Sequence, residues 1–153
     1  MKLLFLSATI LIINDSTGIK PEFITGKWMS DNNDVAVEVF RENDSFAARL
    51  IWFDCSKPGD QKMIEHFDTE NPDPKLRNRP WLGMVTVKDL QFDGKNQWVG
   101  GTIYDPNSGR TYRASIRMSA PNRLIVRGYW GIELFGESLN FKKLEETSGN
   151  ILK

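Results

Sequence analysis

The chain contains one cysteine, Cys55, among 153 residues. No intramolecular disulfide can form, so an apolar core must hold the fold. A lone cysteine of this kind reads as a semi-buried small residue rather than a nucleophile. Histidine is equally scarce: His66 is the only one, which removes the commonest general base and leaves no zinc-type ligand spacing. The Gly-x-Ser-x-Gly, Walker, Gly-x-Gly-x-x-Gly and His-Glu-x-x-His patterns are all missing, and the enzyme classes they mark go with them. Formal net charge is 0, so no basic excess argues for nucleic acid. The carboxylates cluster in turns, where solvation keeps them ordinary. These gaps predict a protein without catalytic residues, metal or cofactor.

Long apolar runs are rare too. The one present, "LLFLSATILII", follows Lys2 and is followed by polar "NDSTG". It has the length of a signal h-region and falls short of the roughly 20 residues a bilayer-spanning helix needs. Ser16 and Gly18 are the small residues of a cleavage site after Gly18. A signal peptide over residues 1–18 and export to the periplasm are expected, with no stable membrane insertion after cleavage. A buried first strand is the alternative. Residues 146–153 read as a disordered tail.

What the chain does have is period-two alternation broken by turn chemistry. "GKWMS", "VAVEVFRE", "SFAARLIWF", "GMVTVKDLQF", "QWVGGTIYD", "TYRASIRMS", "RLIVRGYW" and "ESLNFKKL" read as eight strands. The apolar face of the fourth switches between Val87 and Leu90, as a β-bulge requires. Short turns link most of the strands, without a long helix between them. Eight such strands avoid bare edges by closing into a barrel, whose interior holds side chains or one small ligand. A β-sandwich would need longer crossings. The expected fold is all-β: one domain over residues 24–145, an eight-stranded antiparallel meander closed into a barrel.

Several positions carry both a structural and a ligand reading. Adjacent Gly100 and Gly101 permit sharp coiling or leave room for a ligand. In "IYDPNSGRTY", Asp105 and Gly109 make a turn, while Tyr104, Tyr112 and Arg110 stand where a barrel mouth would be. Pairing Ile116 with Val126 and Met118 with Leu124 puts Arg127 and Tyr129 on the other face, with Arg113 and Arg117. Residues 54–80 break the rhythm, and "KMIEHF" offers one or two helical turns. The segment ends in "NPDPKLRNRPWLGM", where Pro72, Pro74 and Pro80 push the residues before them away from helix. That makes a stiff strap. Its Arg77 and Arg79 are left to pair with acids of residues 54–70 or to face a ligand. Charge is uneven: residues 31–70 carry ten acids and four bases, residues 75–127 ten bases and three acids; arginines that decorate solvent faces are the first reading of this, and an anionic ligand is the other.

The motifs "ITGKW" (24–28), "NPDP.LR.RP" (71–80), "W.GG.IYDP.SG.TY" (98–112) and "VRGY.G" (126–131) occur in one order. In this the chain resembles the bacterial family called domain of unknown function 2147. The resemblance implies an exported lipocalin-like β-barrel with no established catalytic residues. Two positions depart from its usual pattern: Phe141-Lys142 stands where a Trp and a base are common, and Leu82 where a Cys is common. Gly26-x-Trp28 also resembles the first-strand motif of lipocalins, whose Trp plugs one barrel end under a cation, here Lys142 or Arg127.

Two functions fit. In the first, the barrel binds a small, partly apolar and anionic molecule through Arg77, Arg79, Tyr104, Tyr112, Arg127 and Tyr129. Gly26, Trp28, Pro72, Pro74, Pro80, Gly100, Gly101, Asp105, Gly109 and Gly128 then serve structure. In the second, a filled barrel of the cell envelope meets a protein partner, not identified by the residues, around loop 54–80.

Overall fold

The computed structural model describes residues 18–129 and 137–145. The expected signal peptide, apart from Gly18, and the tail 146–153 lie outside the described residues, as does Trp130. Eight strands form a closed antiparallel barrel in sequence order: β1 Gly26–Ser30, β2 Val35–Glu42, β3 Ser45–Phe53, β4 Val85–Phe92, β5 Gln97–Asp105, β6 Arg110–Ala120, β7 Arg123–Tyr129 and β8 Glu137–Lys143. The expected meander is therefore the fold. Among the described residues, no helix is long and apolar enough to cross a membrane.

Alternation decides what each strand buries. Ile116 pairs with Val126 and Met118 with Leu124, and all four are buried. They share one core with Trp28, Val39, Phe46, Val87, Leu90, Trp98 and Phe141. Arg113 and Arg117, on the intervening positions of β6, are exposed.

One end of the barrel is stoppered. A 3-10 turn over Pro21–Ile24 precedes β1 and buries Ile24. Trp28 Nε1 donates to the Ile24 carbonyl at 2.8 Å, and Trp98 Nε1 donates to that of Pro21 at 3.1 Å. Both indoles are fully buried, which stabilises by roughly 5 kcal/mol each before entropic costs, and both polar edges are satisfied. A cation does cover Trp28, but it is Lys143, 5.3 Å from the ring centroid, rather than Lys142 or Arg127. Register explains the difference. Lys143 pairs with Trp28 and Phe141 with Ser30, so both turn inward, while Lys142 turns outward to donate to Asn33 Oδ1.

The expected bulge is present. Phe46 pairs with Leu90 and Ala48 with Val87, two steps on β3 against three on β4; Asp89 has φ 61° within that interval, and Val87 and Leu90 both reach the core. At Gly101 the two readings separate. A Cβ there would sit 2.6 Å from the Lys88 carbonyl oxygen and 2.7 Å from Leu90 Cδ2. The missing side chain leaves room for Leu90 and the neighbouring backbone, not for a ligand. Replacing Gly101 with Ala should cost about 1–3 kcal/mol through this overpacking. Urea unfolding checks it, and an unchanged midpoint would show that the bulge yields freely.

Candidate functional site

In an up-and-down barrel, connections alternate between the two ends. The turns at 31–34, 54–84 and 106–109 therefore share the end opposite the stopper. Towards that end the lumen is thinly covered. Val35, Val37 and Ile103 pack on the core but are only partly buried. Leu139 pairs with Val126 and so turns inward, yet it is 47% exposed. The cause is the length of β1. It stops at Ser30, opposite Phe141, and its last link to β8 is Asp31 N donating to the Asn140 carbonyl at 2.9 Å. Leu139 thus has a neighbour strand on one side only. A row of small residues, Gly101–Ala114–Gly128, crosses β5 to β7 on the inner face. Leu90 fills the space at Gly101, and Ile103 Cγ2 would lie 3.4 Å from a Cβ at Gly128.

The candidate ligand residues divide between the two faces. Tyr112 pairs with Ile103 and shares its inward face. Tyr104, next to Ile103 on β5, turns outward. Arg127 pairs with Ser115 and Tyr129 with Arg113, so both belong to the outer wall, and Arg127 Nη1 donates to Ser138 Oγ at 3.2 Å. A ligand read by these last three would lie outside the lumen.

Arg77 and Arg79 belong to the strap, which is locked against the outward Tyr104. Phe67 and Pro80 form a β-bridge, with Asp68 N donating to the Arg79 carbonyl and Trp81 N to that of His66. Asp68 is fully buried. Its Oδ1 accepts from the Tyr104 hydroxyl at 2.5 Å, and its Oδ2 accepts from Asn71 Nδ2 and Arg79 Nη2, both at 2.7 Å. The Arg79 guanidinium also lies 5.6 Å from the Tyr104 ring centroid. Arg77 Nε donates to the Asn71 carbonyl at 2.9 Å. Of the two options open to these arginines, Arg79 takes an acid of the loop. What it still offers an acceptor is Nε, buried and unpartnered among the described residues, as is Trp81 Nε1.

Asp73 is extended before Pro74, as expected, and Pro74–Leu76 then forms a short 3-10 turn capped by the Asp73 side chain. Met63–Glu65, within "KMIEHF", forms another. At the hairpin tip, Asp105 accepts from Asn107 N and Ser108 Oγ. Gly109, at φ 67°, lies so close beneath the strap that a Cβ would run into the Glu70 carbonyl. Gly26 similarly lies under the Lys143 stem.

Burial pushes the Asp68 carboxyl up, but hydrogen bonds from Tyr104, Asn71 and Arg79 and the Arg79 charge outweigh it and hold the group below its ordinary range. Burial, the hydrogen bond to Asp68 and the Asp68 charge push the Tyr104 hydroxyl up to about 12. The cysteine is the reverse of an activated thiol: burial first, then Asp60 and Asp54, raise the pKa of Cys55. The His66 ring lies against Phe53 and Trp81, at 5.0 and 5.1 Å between centroids. No group of metal-ligating side chains occurs among the described residues.

The strap should therefore be docked most firmly between the ordinary carboxylate and phenol ranges, about pH 4 to 10. The Asp68 contribution is complete above that lower limit and is lost as pH falls through its depressed folded value. The Tyr104 contribution is complete below the upper limit and is lost as pH rises towards about 12. Amide exchange across residues 66–81 measures both limbs. Asp68→Asn, which leaves Arg79 without its counter-charge, should cost roughly 3 kcal/mol and flatten the acid limb. A variant with both unchanged would mean that the network does not hold the strap.

Among solved structures, one described as "Protein HP1028 from the human pathogen Helicobacter pylori belongs to the lipocalin family" is similar to this chain. The TM-score is 0.68 at 26% identity, over 80% of this chain and 83% of that one. No curated protein matches. The family model for uncharacterized proteins conserved in bacteria, DUF2147, matches residues 26–143, the span from the first residue of β1 to the last of β8. With most of its length and its whole barrel inside that match, the chain belongs to the DUF2147 family.

Proposed function

We propose that this is an exported, non-catalytic binding protein that takes a small, partly apolar molecule into the unstoppered half of its barrel. The observation that carries this reading is Leu139, an inward residue of a closed barrel that is 47% exposed. A protein with a filled interior would cover such a side chain; a ligand would do the same on binding. Partly buried Val35, Val37 and Ile103 extend the apolar wall around it, and Tyr112 adds one inward hydroxyl. Open apolar concavities with few polar groups are the usual form of small-molecule sites. Arg113, Arg117 and Arg127 lie on the outer wall and Arg77 and Arg79 on the strap, so the lumen reading keeps the apolar part of the ligand. The lipocalin-family neighbour supports the same reading.

A second reading rests on a different surface. Ile64, Phe67, Leu76 and Leu82 are 68%, 43%, 41% and 38% exposed, all in the connection 54–84, and exposed apolar side chains suit a protein partner of the cell envelope. Changing Ile64 and Leu76 to Asp should abolish envelope co-purification under this reading and leave lumen binding intact.

Titration with the neutral dye N-phenyl-1-naphthylamine tests the lumen. One saturable site is expected, and Ile103→Trp, which fills the open half, should weaken it about tenfold or more. Native mass spectrometry of protein taken from its own envelope should show a small molecule bound one to one. Dye binding that is absent, or that ignores Ile103→Trp, would leave the lumen without a ligand role.

A further inference from the structure

The two edges of β8 are unequally covered. β7 pairs with it from Lys142 to Glu137, whereas β1 pairs only with Lys143, Lys142 and Phe141. The sequence stops β1 at that point. Ser30 Oγ accepts from the backbone N–H groups of Asp34 and Val35 and donates to Asp34 Oδ1, while Asn33 takes φ 53°. "SDNND" thus turns the chain into β2 instead of carrying it on along β8. From Glu137 to Leu139, no described strand lies on the β1 side.

Parity settles what that edge presents. The Asn140 carbonyl faces the β1 side, since it accepts from Asp31 N at 2.9 Å. Alternate residues of a strand aim their backbone groups to the same side, so the N–H and C=O of Ser138 face that way too. A donor and an acceptor so placed match one residue of another extended main chain. Such a chain would continue the line of β1 towards the rim, antiparallel to β8.

The side chains at this edge define the occupant. Leu139 and Glu137 share the inward parity of Phe141, and both are exposed. A residue set opposite Leu139 would have its Cβ about 4.5–5.5 Å away and would cover the apolar surface that β1 leaves bare. Two positions further on, the added chain would stand opposite Glu137. That carboxylate belongs to no ion pair among the described residues, whereas Glu22, Asp31, Glu38 and Asp68 each hold an arginine. Charge complementarity therefore asks for a lysine or arginine there.

We infer that the notch between β1 and β8 binds a short extended peptide of the pattern apolar-x-basic, as an added strand. Ser138 takes the main chain of the middle residue, Leu139 the apolar side chain and Glu137 the cation. In strand addition, main-chain hydrogen bonds give affinity and the alternate side chains give selectivity. The inference rests on the lumen reading and narrows its ligand to a peptide, whose apolar side chain enters the open half beside Leu139.

The test is titration of the full chain with the blocked peptide acetyl-Ala-Leu-Ser-Lys-amide, read by calorimetry and by displacement of N-phenyl-1-naphthylamine. One-to-one binding that displaces the dye is expected. Methylating the backbone nitrogen of the peptide's serine removes the donor to the Ser138 carbonyl and should weaken binding about tenfold or more. Ser138→Pro removes the N–H on the open side and leaves the pairing with β7 in place. It should weaken the peptide as much, with urea unfolding showing the barrel intact. Glu137→Gln should weaken the lysine peptide about two- to fivefold and leave acetyl-Ala-Leu-Ser-Gln-amide unchanged. Dye binding without peptide binding would overturn the inference and leave the lumen reading standing; absence of both would overturn both. Indifference to backbone methylation or to Ser138→Pro would also overturn the inference. So would a dimer, seen by sedimentation, that binds no peptide and that Ser138→Pro dissolves, because a second copy would then hold the edge.

Discussion

Three residue pairs between β1 and β8 turn a sheet with two edges into a barrel. Every later property of the molecule follows from where those pairs are. They set Trp28, Phe141 and Lys143 on the inner face at one end, where the Pro21–Ile24 turn and Trp98 complete a dry, hydrogen-bonded stopper. Because β1 is only five residues long, the same pairs run out halfway up β8. Closure and opening thus have one cause. A short first strand removes most of the bare edge that would invite aggregation, and is too short to wall the lumen along its full height.

The strap solves a different problem. A connection of about thirty residues is costly to order unless something fixes it, and it contains few core positions. A buried carboxylate with three side-chain donors from two segments provides the fixed point. An ion pair of this kind adds less net stability than it adds specificity, since its desolvation offsets much of its attraction. Its Tyr104 contact joins residues 36 apart in sequence and settles which side of the hairpin the strap lies on. The apolar side chains exposed on the strap are then held in one presentation rather than many.

Much of this was legible in the residues. Alternation in β6 and β7 gave the register of Ile116, Val126, Met118 and Leu124, because one face is apolar throughout and a shift by one would bury arginines. The switch between Val87 and Leu90 marked a bulge for the same reason. The family motifs and the strand count pointed to the same barrel. What the residues did not disclose was partnership at a distance. Asp68 is one of many acids in its stretch, and nothing local distinguishes the carboxylate that will be buried from those left in water. Lys142 and Lys143 differ only in parity, and parity depends on a pairing with β1 more than a hundred residues earlier. The arginines of β6 and β7 were visible as outward-facing from the same alternation.

The contact between Gly109 and the Glu70 carbonyl has a consequence for how this chain can change over generations. Strap and hairpin touch there backbone to side-chain position, so no rotamer can relieve an added carbon. Substitutions at that glycine are admissible only together with a rerouted strap, and a strap of altered length is admissible only with the turn rebuilt beneath it. Asp68, Tyr104 and Gly109 are therefore constrained as one heritable unit, while the lumen wall beyond them is free to diversify residue by residue.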